Sequence, residues 1–219
     1  MHRTLISAMK EASLDMALDK RINVLNTEKL KVGSLVPVGE WILHDEMTLE
    51  KVTSWRRRFN RMFPTRNSVT IETTRRFIEK SYIQNPDSLL FMILTNSDEI
   101  IGHIGICGLD DNNFEIVNLV RGMSGGDDQL IYFAEVSLLN FGFALGDHGG
   151  CFVEIMSYNW VVADLHKRVG FVKSGSIPLQ KQENSNGITH KRVQDIDKNV
   201  DYTIEFMTMS RGDFAKIPN

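Results

Sequence analysis

A mixed α/β (α+β) domain, with a mainly antiparallel central sheet flanked by helices, is what the sequence predicts. Three observations carry that reading. Apolar runs at 89–94, 100–109 and 114–120 follow one another across short polar turns, Asn96-Ser97-Asp98-Glu99 and Asp110-Asp111-Asn112-Asn113, as in an antiparallel meander. A glycine-rich segment from Arg121 to Asp128 then feeds a long helical pattern with Leu130, Phe133, Ala134, Val136, Leu138 and Phe141 apolar. Beyond it strand and helix patterns alternate, so helices and sheet pack as layers.

The chain has 219 residues, a length that suits one domain with a small appendage. Apolar residues make up 42% and charged residues 24%, which excludes a disordered or collagen-like chain. A net charge of −3 lacks the basic excess that draws proteins to duplex nucleic acid, so no nucleic-acid partner is expected. Two cysteines, Cys107 and Cys151, are too few for a disulfide framework and lack paired metal spacing; no metal is expected. No apolar run approaches the roughly 20 residues that cross a bilayer, and no membrane partner is expected. The first 21 residues mix acids among their apolar positions, unlike a signal peptide, and the expected location is cytoplasmic.

Residues 1–40 are amphipathic, with Leu5, Met9, Leu14, Ala17, Ile22 and Leu25 apolar, and read as an N-terminal extension to a domain over 41–219. Trp41-Ile42-Leu43 is a short strand candidate. Thr48 suits an N-cap, and Leu49, Val52, Trp55 and Phe59 then recur at helical spacing. Thr70 opens a second helix with Ile71, Thr74, Phe77, Ile78 and Tyr82 on one face, ending before Pro86. After the meander and the long helix, Gly146 to Gly150 is a break, 151–156 a strand, and 160–169 a short helix stopped at Gly170. Runs at 171–177 and 202–209 read as closing strands, separated by a polar stretch over 180–201 that is long for a hairpin loop.

The most suggestive joint is 117–126, a strand that runs into glycines and then a helix start. Unpaired backbone N–H groups and the positive end of a helix bind phosphate at such joints, although a plain glycine turn has the same outline.

In this order the segments resemble the GNAT superfamily of acetyl-CoA-dependent N-acetyltransferases, over about residues 41–210. Ile100-Ile101-Gly102-His103-Ile104-Gly105-Ile106 is similar to the family's IGxIGL strand. Glu115-Ile116-Val117-Asn118-Leu119-Val120-Arg121-Gly122 is similar to its fourth strand. Ser157-Tyr158-Asn159, followed by Leu165-His166-Lys167-Arg168-Val169-Gly170-Phe171, is similar to its N…LYEKLGF signature.

The resemblance implies that the fourth and fifth strands splay apart to receive the pantetheine arm of acetyl-CoA or another acyl-CoA as co-substrate. Leu119, Val120 and Arg121 would line that edge, with the Val120 N–H as oxyanion donor. The amides of Gly122, Gly125, Gly126 and Gln129 would hold pyrophosphate, and Asn159 would contact the arm. Asp127 and Asp128, unfavourable beside pyrophosphate, would turn their side chains to solvent.

Glu115 stands where the family keeps a glutamate that assists deprotonation of the amine. Asn118 would touch substrate. His166 replaces the tyrosine that protonates the leaving thiolate, and it reads either as that acid or as a histidine packed beside the arm; Tyr158 is the alternative donor. His103 and Cys107 read as packed strand residues, and the arginines at 56, 57, 58, 61 and 66 as a solvated face.

The implied activity is transfer of an acetyl or related acyl group to a primary amine of a small molecule, an amino sugar or an amino-acid-derived metabolite, by direct attack. A protein N-terminus is the alternative acceptor, and a non-catalytic CoA-binding or sensory module the alternative class. A homodimer is an expectation of the resemblance alone.

Overall fold

All eight residues of the strand at Ser88–Thr95 are buried, because both of its faces are covered. Alternation along the strand divides them between two cores. Leu89, Phe91 and Ile93 join one apolar cluster, and Leu90, Met92 and Leu94 the other. A continuous apolar run in the middle of a sheet therefore needs helices on both sides.

The computed structural model describes residues 2–109, 112–185, 187–194, 200 and 202–217. Its helices are α1 (His2–Lys10), α2 (Leu14–Asp19), α3 (Glu46–Arg58), α4 (Ile71–Ile78), α5 (Leu130–Leu145), α6 (Trp160–Val169) and α7 (Arg211–Phe214). The strands are β1 (Ile22–Leu25), β2 (Lys31–Pro37), β3 (Thr65–Asn67), β4 (Ser88–Thr95), β5 (Ile100–Cys107), β6 (Asn113–Arg121), β7 (Gly150–Met156), β8 (Val172–Asn184), β9 (Gly187–Arg192) and β10 (Tyr202–Ser210). They form one ten-stranded sheet in the order β1-β2-β4-β5-β6-β7-β10-β8-β9-β3. Every pairing is antiparallel except that of β6 with β7. Helix α5 fills the first cluster through Leu130, Ala134 and Leu138; Leu49, Val52 and Trp55 of α3 and Ile78 of α4 fill the second.

Four expectations are revised. Residues 1–40 are not an appendage: β2 pairs with β4, and Ile6, Met9, Ala17 and Val24 are buried in the two cores. Burying one large aliphatic side chain is worth about 1.5–3 kcal/mol, which ties this segment to the fold. Residues Glu40–His44 form a 3-10 turn and not a strand. The cap of α3 is Asp45, whose carboxylate accepts from both the N–H and the hydroxyl of Thr48. The polar stretch after 180 is largely strand: β8 runs on to pair with β9, and β9 pairs with β3. Thr70 does cap α4, in a reciprocal box with Thr73. The expected turn at Asp110 and Asp111 lies outside the described residues.

Candidate active site

Strands β6 and β7 stay together for only three pairs, Asn113↔Gly150, Phe114↔Cys151 and Glu115↔Phe152. Beyond Glu115 they diverge, since the far edge of β7 is held by β10 through Ser210↔Gly150 to Ile204↔Met156. The wedge between them is a cleft of about 460 Å³. Residues 115–121 of β6 and 153–156 of β7 form two of its walls, and Asn159, Val162 and His166 a third. Phe59, Met62, Phe63 and Pro64 close one end.

A one-residue bulge shapes the β6 wall. Its register with β5 reads Gly102↔Arg121 and His103↔Val120, then Gly105↔Val117, so β6 holds an extra residue. That residue region contains Asn118 at φ +52°, a left-handed conformation that asparagine tolerates. Two contacts hold it: the Nδ1–H of His103 donates to the Asn118 carbonyl at 2.7 Å, and Nδ2 of Asn118 donates to the Tyr82 hydroxyl at 2.5 Å. Burial, the largest influence, pushes His103 down to about 4, so its ring is neutral near pH 7 with its one proton on the bonded nitrogen. The Asn118 side chain thus gives an amide hydrogen to Tyr82, while the residue still lines the cleft.

The bulge also corrects the oxyanion donor. Gly122 N–H donates to the Ile101 carbonyl at 2.8 Å, and antiparallel residues alternate in the side to which they point. Val120 therefore turns its N–H and carbonyl toward β5; a Cβ on Gly102 would come within 2.2 Å of that carbonyl. The amides left on the open edge are those of Leu119 and Arg121. Counting along an unbulged strand puts the wrong residue there.

Glu115 stands at the mouth of the splay. Burial, then the nearby Glu154, push its carboxyl up to about 7, against a thiol hydrogen bond from Cys107 at 3.6 Å and the pull of Arg192. Glu154 also lines the cleft and pairs with Arg192 of β9. Two carboxylates thus share this end.

On the α6 wall, His166 is buried, and its Nδ1 lies 2.5 Å from Oε1 of Glu135 on α5. Glu135 is fully buried, and its Oε2 has no partner among the described residues. Tyr158 is tied elsewhere: its hydroxyl donates to the Arg61 carbonyl and accepts from Arg66 Nη2 at 2.7 Å. It helps to anchor the 59–67 segment, as do the N–H and Nδ1–H of His190, both donated to the Pro64 carbonyl at 2.9 Å. This commitment removes Tyr158 as a proton donor.

The glycine loop is partly spoken for. Gly122 packs on the Trp55 ring, where a Cβ would sit 2.1 Å from ring atoms, and its N–H is taken by Ile101. Arg121 staples the loop through the carbonyls of Met123, Gly125 and Asp128, at 3.2–3.4 Å. Gly125 and Gly126 make the reversal at φ +138° and +68°. The Gln129 N–H donates to Asp127 Oδ1 at 2.7 Å, in an exposed turn before α5. Gly122 and Gln129 are thereby removed as amide donors. The amides from Ser124 to Asp128 have no acceptor among the described residues and remain open to a phosphate.

Glu135 and Glu154 were not singled out from sequence. A lone carboxylate inside the apolar run of α5 was the available signal for the first. For the second it was the alternation in Phe152-Val153-Glu154, which turns Glu154 to the face opposite the buried Val153. Among the described residues no cluster of three or more His, Cys, Asp or Glu could hold a metal ion, and no helix is long and apolar enough to cross a membrane.

No protein-family model matches the sequence, and no curated protein matches it either. Solved structures do match in shape. A probable acetyltransferase of the GNAT family from Chromobacterium violaceum aligns at a TM-score of 0.63 and 16% identity, covering 89% of this chain and 88% of the other. Spermidine N-acetyltransferase from Vibrio cholerae, solved with CoA and spermine, aligns at 0.59 and 10% identity, covering 84% and 98%. The microcin C7 self-immunity acetyltransferase MccE, solved with acetyl-CoA and AMP, aligns at 0.57 and 18% identity, covering 81% and 92%. The likeness establishes the fold, which is that of these acetyltransferases.

Proposed function

We propose that this chain, which has the GNAT acetyltransferase fold, transfers an acetyl or related acyl group from acyl-CoA to the primary amine of a small molecule. One observation carries the reading. The open edge of β6 and the α6 wall enclose a cleft that holds a carboxyl tuned near neutrality, Glu115, and an imidazole, His166, on different walls. The fold neighbours bound to CoA, acetyl-CoA and spermine support the same substrate pairing.

The residues present suit an acyl-CoA. The pantetheine arm is a chain of amides that takes hydrogen bonds from an unpaired strand edge, here Leu119 and Arg121, with Asn159 beside it. The open amides of 124–128 suit its pyrophosphate. When bound, acyl-CoA supplies a thioester, an acyl group already activated for attack by an amine.

The protein's part is positioning and proton transfer. Glu115 takes the proton from the acceptor ammonium, so that the nitrogen lone pair forms the new C–N bond. The Leu119 N–H faces the acyl oxygen as negative charge gathers there. As the C–S bond breaks, the electron pair leaves with sulfur, which takes the Nε2 proton of a doubly protonated His166 ring, and the acylated nitrogen sheds its remaining extra proton to solvent. A carboxyl poised near 7 is a base matched to neutral pH, with proton transfer worth on the order of 10²–10⁴-fold.

The acceptor end favours a compact cationic amine. Glu115 and Glu154 face an ammonium, while Phe59, Met62 and Phe63 offer an apolar wall. That wall, tied down by Tyr158 and His190, favours a small molecule over a protein N-terminus. An amino sugar or an amino-acid-derived metabolite suits this description.

Titration with acetyl-CoA, followed by thiol release with a polyamine, an amino sugar and an amino-acid amide, tests the reading. Binding plus release with one of these amines, lowered on the order of 10²-fold in Glu115→Gln, is the expected result. No affinity for acetyl-CoA would end the proposal.

A further inference from the structure

We propose that Glu135 is a positioning residue for His166. Its buried carboxylate holds the ring by the Nδ1–H and so leaves Nε2 on the cleft side as the nitrogen that moves the proton. The inference rests on the acyl-transfer reading above and names a part of the machinery that the sequence comparison with the family does not supply.

Burial is the first argument. Glu135 is fully inaccessible, on a helix whose neighbours Ala134, Val136, Leu138 and Leu139 are all core. A carboxylate in such a place is costly, and an apolar residue of similar volume would serve the fold as well or better. Packing therefore does not explain its presence. Its Oε1 goes to His166 Nδ1, at 2.5 Å, and Oε2 has no partner among the described residues.

Geometry is the second argument. His166 borders the cleft, yet its Nδ1 edge is directed into the core toward α5. The ring also meets Phe171 edge-on at a centroid distance of 5.4 Å. Apolar contacts alone would not distinguish the ring from its flipped form, in which carbon replaces nitrogen at the cleft. The hydrogen bond to Glu135 selects one orientation, as carboxylates do for functional imidazoles in general. The reacting ring carries a proton on each nitrogen. In the transfer step the Nε2–H bond breaks and an S–H bond forms, leaving a neutral ring whose Nδ1–H stays on Glu135. Nε2 is then reprotonated, through solvent, by the proton that the acylated nitrogen sheds.

Two measurements test the proposal, one of them independent of turnover. In the free protein labelled with ¹⁵N-histidine, long-range proton–nitrogen spectra identify His166 by its loss in His166→Ala. The expected signature is a proton resident on Nδ1, which relaxes toward Nε2 in Glu135→Leu. A wild-type Nδ1 that carries no proton would overturn the proposal. The second is a kinetic cycle with acetyl-CoA and the amine giving most thiol release. Glu135→Leu should lower kcat on the order of 10²-fold with KM for acetyl-CoA unchanged. In a His166→Ala background the same substitution should cost nothing further, whereas additive losses would mean a merely structural role. If acetyl-CoA fails to bind at all, the acyl-transfer reading falls. The spectra then still decide whether Glu135 sets the ring.

Discussion

The carbonyl oxygen of Asn118 accepts a hydrogen bond from Nδ1 of His103 at 2.7 Å, across one register step between adjacent strands. That contact, with the Tyr82 hydroxyl on the Asn118 side chain, pins the bulge that decides which amides of β6 face the cleft. A buried, neutral histidine on the scaffold side thus sets the geometry of the cleft edge on the other.

The bulge should tolerate glycine and reject branched residues. At φ +52°, Asn118→Gly keeps the conformation, while Asn118→Val pays for a left-handed β-branched residue, on the order of 1–3 kcal/mol. Acetyl-CoA titration of folded protein should show near-native affinity for the first and a clear loss for the second. Equal affinity in both would detach the bulge from the binding edge.

Gly122 acts in packing. Gly122→Ala drives a methyl into the Trp55 ring and should lower stability by about 1–3 kcal/mol in urea unfolding. Protein that remains folded should bind acetyl-CoA as before, and a selective loss of affinity would return Gly122 to the phosphate loop.

Asp127 closes a turn onto the N–H of Gln129, just before α5, and places a negative charge at the helix start. Asp127→Asn keeps that turn through its amide oxygen but removes the charge, worth about 0.3–1 kcal/mol there. The dissociation constant for acetyl-CoA should fall roughly two- to five-fold, by that same energy. An unchanged or weaker constant would mean that pyrophosphate does not approach this helix.

Two groups give stability opposite pH dependences. His103, at about 4 in the fold against an ordinary 6.5, contributes stability above pH 6.5 that is lost as pH falls toward 4. Glu115, at about 7 against 4.5, is best accommodated below 4.5, and its contribution is lost as pH rises toward 7. The first amounts to about 3 kcal/mol at full extent, and the second to less, since Glu115 is partly exposed. They offset one another between about pH 4.5 and 6.5. Glu115→Gln should therefore unmask a rise in unfolding free energy across that window and be more stable than wild type at pH 8. Parallel curves for the two proteins would contradict this account.

Much of the framework was legible from sequence because it rests on local rules. The strand pattern over 89–120, the Thr70 cap and the stop at Gly170 follow from periodicity, capping and turn chemistry, which a short window contains. The misread pieces were those in which a remote partner decides. Trp41-Ile42-Leu43 is apolar enough for a strand, yet Ile42 packs into the second core as part of a 3-10 turn. Residues 187–192 are polar and look like loop, yet they become strand because β8 and β3 supply ladder partners.

By itself the sequence determined the layered fold and the glycine joint, since these depend on residue type and spacing along the chain, while the candidacy of Glu115 and His166 came from the resemblance to the GNAT superfamily. Only the tertiary structure decided what each group faces. It turned Val120 toward β5, joined Asn118 to Tyr82 and Tyr158 to Arg61, and brought Glu135, 31 residues from His166, against its ring. The physical reason is that one inserted residue reverses every amide beyond it. Likewise, a buried charge acquires meaning only from the partner that folding brings to it.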